Sequence, residues 1–161
     1  MTTAQALDRA SAREIANAFL PARWYGNRWH HYYARSKLRS DPLYPGVVDA
    51  LRGSDAPLLD LGCGIGLLAH ALRAAGLALP YRGVDNDAAK ISQARRAAGN
   101  AALPGVDFAV HDLAAGLPAH RGSVALLDVL QFVPLHAQDA ILDGAIAMLV
   151  PGARLVIRTC L

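Results

Sequence analysis

The chain has 161 residues, 53% of them hydrophobic and 18% charged, with a net charge of +3. That length suits one domain with a sizeable core, and that composition excludes a disordered chain. No apolar run is long enough to span a bilayer, and the first twenty residues carry Asp8, Arg9, Arg13 and Glu14, so neither a membrane span nor a signal peptide is expected.

Residues 4–19 are predicted to form a helix that Pro21 ends. Residues 23–40, RWYGNRWHHYYARSKLRS, are dense in aromatics and arginine and read as a helix broken near Gly26 and closed by a turn at 40–42. Pro45 suits the first turn of a helix over 46–51, with Gly53 beyond its end. From Pro57 the pattern changes. PLLDL is a strand entering a glycine loop, and LLAHALRAA is a helix stopped by Gly76. Residues 81–85 read as a strand. Asn86 or Asp87 caps a helix that Gly99 ends. Residues 106–110 are a strand, 111–122 a loop or short turn, and 123–130 an apolar strand holding Asp128. A helix over 137–150 stops at Pro151 and Gly152, and 153–159 is the last strand.

Two cysteines, Cys63 and Cys160, one of them inside the glycine loop, argue against a disulfide scaffold and for a reducing cytoplasm. CxxC and HExxH spacings are absent, so no metal is expected. Residues 1–40 hold seven arginines and lysines against Asp8 and Glu14. This reads as a solvated face, with attraction of an anionic substrate or a carboxylate as the alternative.

Alternating strands and helices imply a parallel sheet with helices on both faces, and ligands bind there at the carboxyl ends of the strands. DLGCGIG, residues 60–66, lies at such an end. Its glycines let the chain turn tightly, and the following helix points free N–H groups at whatever sits there. The dinucleotide pattern G-x-G-x-x-G would need glycine at position 67, which is Leu67.

With Asp60 two residues before Gly62, Gly64 and Gly66, the loop resembles the first motif of the class I S-adenosylmethionine (SAM) methyltransferases. The resemblance covers roughly residues 57–159. It implies a Rossmann-like doubly wound sheet of about five strands, order 3-2-1-4-5, with residues 1–45 as a helical lid and 46–161 as the SAM-binding core. It implies cofactor contacts from Asp60, Gly62, Cys63, Gly64 and Gly66. Asp85, beside Asn86, would bind the ribose, because a carboxylate accepts two hydrogen bonds at once. Asp112 and Leu113 would meet the adenine, and Asp128 would stand at the mouth of the site, since an acid within so apolar a strand is costly unless it is paired or lies there. The family's last two strands have no counterpart, so a C-terminal portion is expected outside this sequence.

The implied activity is methyl transfer from SAM, leaving S-adenosylhomocysteine, to a small-molecule O- or C-acceptor. The absence of an Asn/Asp-Pro-Pro-aromatic motif after the fourth strand leans away from nucleic acid. The aromatic segment supplies catalytic candidates, His31 and Tyr33 foremost, with His30 and Tyr32 beside them, and Tyr33 and Lys37 lie one turn apart and could hold the methionyl carboxylate. A homodimer is one open assembly. The alternatives are a SAM-fold binding subunit without catalysis and, against Leu67, an NAD-dependent oxidoreductase.

Overall fold

β-branched and leucine-rich runs of four or five residues form the sheet: β1 (Leu58–Leu61), β2 (Tyr81–Asp85), β3 (Val106–Val110), β4 (Ser123–Leu127) and β5 (Leu155–Arg158). All pairings are parallel, in the predicted order β3-β2-β1-β4-β5. The helices are α1 (Arg9–Asn17), α2 (Trp29–Ser40), α3 (Leu43–Leu51), α4 (Leu67–Ala74), α5 (Ala88–Asn100) and α6 (Leu135–Ala147). The computed structural model describes residues 7–159; the start of the predicted helix 4–19 and Cys160 lie outside the described residues. Among the described residues no helix is long and apolar enough to cross a membrane.

The period-two alternation of β1 separates two cores. Leu58 faces a cluster that holds Phe19, Leu38, Leu51, Leu72 and Ile91. Leu59 and Leu61 face Val124, Leu126, Ile141 and Ala145. Fully burying each such leucine is worth about 1.5–3 kcal/mol, so a parallel strand covered on both faces reads as continuously apolar. The chain winds outward from β1 to β3 and then returns to β4, so β1 and β4 flank the point where the winding reverses.

The N-terminal segment is built into the first core. Ala12, Phe19, Ala34 and Leu38 are fully buried in it. The chain leaving α1 is also anchored on α5: Arg96 Nη1 donates to the Leu20 carbonyl (2.7 Å) and Asn100 Nδ2 to the Ala18 carbonyl (2.9 Å). Only one face of α2 borders the cleft described below.

Element ends differ from expectation where backbone conformation decides them. Residues 23–28 turn and are not helical, because Gly26 N–H closes on the Arg23 carbonyl (2.9 Å) and the missing Gly26 Cβ makes room for the Pro21 ring. The third helix starts at Leu43, three residues early, with Pro45 in its first turn where no N–H is needed. Gly99 does not end α5. The helix runs to Asn100 and closes through Leu103 N–H to the Ala98 carbonyl and Ala102 N–H to the Gly99 carbonyl, both 3.0 Å, with Ala102 at φ +48°. Gly76 occupies the same left-handed position after α4. β4 ends at Leu127, and α6 runs from Leu135 to Ala147, starting and ending earlier than the pattern predicted.

Ala102 therefore holds a conformation that suits glycine. Replacing Ala102→Gly is expected to stabilise the protein by about 0.5–1 kcal/mol, read as a shifted midpoint in urea unfolding; a loss of stability there would contradict this account of the cap.

Candidate functional site

At the reversal between β1 and β4, Gly62, Gly64 and Gly66 all take left-handed φ (+77°, +57° and +81°). A Cβ on Gly62 would collide with Val129, and one on Gly66 with the Phe108 ring, whereas beside Gly64 there is open space. Gly62 and Gly66 thus allow close packing, and Gly64 leaves bare backbone facing a cleft of about 620 Å³. That volume is of the size that holds small molecules. The N-terminus of α4 has no side-chain cap, and its Leu67 and Leu68 border the same cleft.

Asp85 pins this turn. Its Oδ2 accepts from Gly64 N–H and its Oδ1 from Asp87 N–H, each 2.9 Å. An ionised carboxylate offers about four acceptor positions, so Asp85 keeps acceptor capacity while it holds both loops. Asp87, not Asn86, caps α5, accepting from Ala89 and Lys90 N–H; Asn86 is exposed. Asp112 is exposed and caps the short 3-10 turn Leu113–Ala115 through Ala114 N–H (2.9 Å). Leu113 packs against the second core. Asp85, Asn86, Asp112 and Leu113 lie outside the cleft lining; Asp60, Gly62, Cys63, Gly64, Asp128, Tyr33 and Lys37 belong to it.

Asp60 forms a buried polar floor with Tyr81, whose hydroxyl donates to Asp60 Oδ2 at 2.6 Å. Burial pushes the Asp60 carboxyl up to about 6 against the lowering by the Tyr81 hydrogen bond, and the Asp85 charge adds to the rise. Burial also pushes the Cys63 thiol far up, with the charges of Asp60 and Asp85 adding to it, so it stays protonated and is no nucleophile.

Asp128 follows β4 at φ +58°. Arg158, at the end of the adjacent strand, donates Nε to Asp128 Oδ1 (2.9 Å) and Nη2 to Asp128 Oδ2. The same guanidinium donates Nη1 and Nη2 to the two oxygens of Asp41 (2.5 and 2.9 Å), which also pairs with Lys37 (2.8 Å) and caps α3 at Leu43 N–H. Burial alone would raise the Asp41 carboxyl, but the hydrogen bonds from Arg158, Lys37 and Leu43 hold it well below the carboxylate range. Sequence reasoning missed Arg158 and Asp41; the available signal was a charge ending β5 beside the acid that ends β4.

On α2 the paired histidines part ways. His31 Nδ1 bonds the Ala16 carbonyl (2.8 Å), away from the cleft, and His30 borders the cleft instead. Burial and the Arg96 charge both lower the His30 pKa, so its ring is neutral at pH 7. Trp29 stacks on Tyr33 with centroids 5.0 Å apart, and Tyr44, Lys90, Gln93, Gln131 and Phe132 complete walls that sequence reasoning did not single out. Among the described residues no cluster of His, Cys, Asp and Glu could hold a metal.

The sheet order and the glycine turn at its reversal define the class I methyltransferase fold. The family described as "Methyltransferase domain" matches residues 58–152. The ubiquinone biosynthesis O-methyltransferase of Xylella fastidiosa (strain 9a5c) is 35% identical over 109 residues, 66% of this chain and 42% of that protein, so this chain spans less than half of that relative's length. Among solved structures, PH0226 protein from Pyrococcus horikoshii OT3 superposes with TM-score 0.63 at 22% identity, covering 79% of this chain and 57% of that one. A SAM-dependent methyltransferase from Thiobacillus denitrificans, solved with S-adenosyl-L-homocysteine, gives TM-score 0.56 at 24% identity, covering 73% and 48%. At these identities the structural likeness shows the fold. The chain belongs to the class I, SAM-dependent methyltransferase family.

Arg158 pairs with two carboxylates, Asp128 in the cleft lining and Asp41 at the joint between α2 and α3. Arg158→Met should cost about 1–2 kcal/mol at neutral pH, partly screened because the guanidinium is about one-third exposed. The folded-state pKa of Asp41 is depressed, so its contribution is present above the ordinary 3.8 and disappears as pH falls through the lower folded value. Urea unfolding between pH 2 and 7 should therefore show a flatter acid limb in the variant; identical limbs would contradict the pairing.

Proposed function

We propose that this chain binds SAM in the cleft and transfers its methyl group to a small-molecule O- or C-acceptor. The observation that carries this reading is the bare backbone at Gly64, open to the cleft while its N–H is fixed by Asp85. The donor set fits the cofactor: Asp85, set behind the lining residues Gly64 and Asp87, keeps spare acceptor positions for ribose hydroxyls, the start of α4 is uncapped, and the buried Asp60 suits a cationic end. Lys37 can meet the methionyl carboxylate while keeping Asp41, since an ammonium has three donors. The O-methyltransferase name of the Xylella relative agrees with an oxygen acceptor.

When bound, SAM supplies an electrophilic methyl on a positive sulfur that departs as a neutral thioether. This chain's residues align the partners and keep water out. His30 would take, on a ring nitrogen, the proton that an oxygen acceptor gives up as it is methylated. His30 takes that role in place of His31 because it is the histidine that borders the cleft and it is neutral. Tyr33, stacked on Trp29, positions the acceptor.

Asp85→Ala should weaken SAM binding about tenfold or more by calorimetry, the loss expected for hydrogen bonds to a charged acceptor worth about 1.5–3 kcal/mol. Tighter binding of NAD than of SAM would overturn the reading. His30→Ala should reduce transfer to an acceptor found by screening, with SAM affinity kept. Full transfer in that variant removes His30 from the mechanism, and SAM binding with no acceptor in any screen points to a non-catalytic subunit.

Asp60 links binding to pH. Its folded-state value is raised, so the stability tied to its protonated form is complete below 3.8 and lost as pH rises through about 6. A cation beside it favours the carboxylate. SAM affinity should thus rise roughly tenfold as pH increases from about 5 to 7 and then level off. Asp60→Asn should flatten that profile, and a wild-type profile already flat would exclude Asp60 from the cationic end.

A further inference from the structure

The aromatic turn between α1 and α2 is not used by the cleft. Trp24 and Tyr25 are 83% and 64% exposed, and neither belongs to the cleft lining. They meet edge to face with centroids 5.6 Å apart. Arg23 Nη1 donates to the Tyr25 hydroxyl (2.9 Å) and Arg28 Nη2 to the Trp24 carbonyl (3.3 Å), so the turn is held in its exposed shape. Trp29 and Tyr32 extend the aromatic surface onto α2. Phe132, which lines the cleft together with Trp29, and Leu135 are also more than four-fifths exposed. Soluble proteins rarely leave so many aromatic rings exposed along one short segment, Trp24 to Tyr32, without a partner.

The charge along the aromatic segment has one sign. No acid occurs from residue 15 to residue 40. Arg23, Arg28, Arg35 and Arg39 are exposed, and none is ion-paired among the described residues. We propose that this face docks on an anionic lipid surface, with Trp24 and Tyr25 seated at the headgroup level. Tryptophan and tyrosine favour that depth because one end of each ring is apolar and the other polar. Exposed arginines beside them are drawn to a negative surface. A second copy of the chain fits less well, because a two-fold interface would bring the unpaired arginines onto themselves. The proposal stands apart from the methyl-transfer reading and does not need it.

The chain has two tryptophans, Trp24 and Trp29, both in this surface, so intrinsic emission reports on it directly. Trp29→Phe leaves Trp24 as sole reporter. The probe is phosphatidylcholine vesicles with and without phosphatidylserine, some carrying brominated acyl chains. The expected result is a blue shift and bromine quenching of Trp24 with the anionic vesicles. Co-sedimentation should be at least about tenfold stronger with phosphatidylserine and should fall steeply as salt rises from about 0.05 to 0.5 M. The double variant Trp24→Ala, Tyr25→Ala should lose about tenfold in co-sedimentation with its melting temperature unchanged, since both rings face water. Four results would overturn the proposal: no co-sedimentation with anionic vesicles at low salt, co-sedimentation with unshifted Trp24 emission, a dimer in sedimentation velocity that blue-shifts Trp24 without lipid, or tighter binding to an oligonucleotide than to anionic vesicles.

Discussion

The carboxylate of Asp85 is the interaction on which the site depends. It takes one backbone N–H from the glycine turn after β1 and one from the approach to α5. Through it, three left-handed residues in five can keep one conformation, and Asp87 arrives in position to cap α5. Gly62 and Cys63 N–H both close on the Val84 carbonyl, one residue before Asp85, so the end of β2 organises the whole turn. Half of the carboxylate's acceptor positions are therefore committed to the fold before any ligand arrives. An asparagine there would keep one acceptor oxygen and put an N–H donor against a backbone N–H.

Beneath the turn the cleft floor is buried. Asp60, Tyr81 and Tyr44 are all buried, and burial raises the pKa of each. The Tyr81 hydroxyl gives Asp60 a hydrogen bond that keeps the burial of both tolerable. In such surroundings a charge placed over the floor is felt more strongly than in water. The floor thus lends the cleft a preference for positive charge, although the N-terminal half of the chain carries most of the protein's basic residues.

The sheet was readable from sequence because its signals are local: short apolar runs, the glycine turn after β1, and glycines past α3, α4 and α6. Where reading failed, the deciding fact was tertiary or conformational. Gly99 looked like a terminator, but Asn100 is drawn onto the Ala18 carbonyl and the left-handed turn falls to Ala102. Asp128 looked like part of a strand, yet it leaves β4 at positive φ to reach Arg158. The choice between His30 and His31 was legible in part. Ala34 and Leu38 are the buried residues of α2, and helical spacing puts His31 on their side and His30 with Tyr33 and Lys37. The consecutive aromatics obscured that phase.

The tether through Arg158 sets how the cleft can change shape. Two carboxylates and two cations, Asp41, Asp128, Arg158 and Lys37, balance in charge and join the α2–α3 joint to the ends of β4 and β5. On the next wall Gln138 Nε2 donates to the Leu130 and Val133 carbonyls (2.9 and 3.0 Å), holding the β4–α6 connection on α6. Arg96 and Asn100 hold the chain between α1 and α2 on α5. With three walls tied by charged or amide groups, separation of whole elements would break several half-buried polar pairings at once. The parts bound least are the aromatic side chains at the rim, Trp29, Tyr33 and Phe132, which rest on one another or on solvent. Rotation of those rings needs no polar bond to be given up. The rings at the mouth are therefore the part of the cleft held least, above a scaffold whose geometry Asp85 and Arg158 impose.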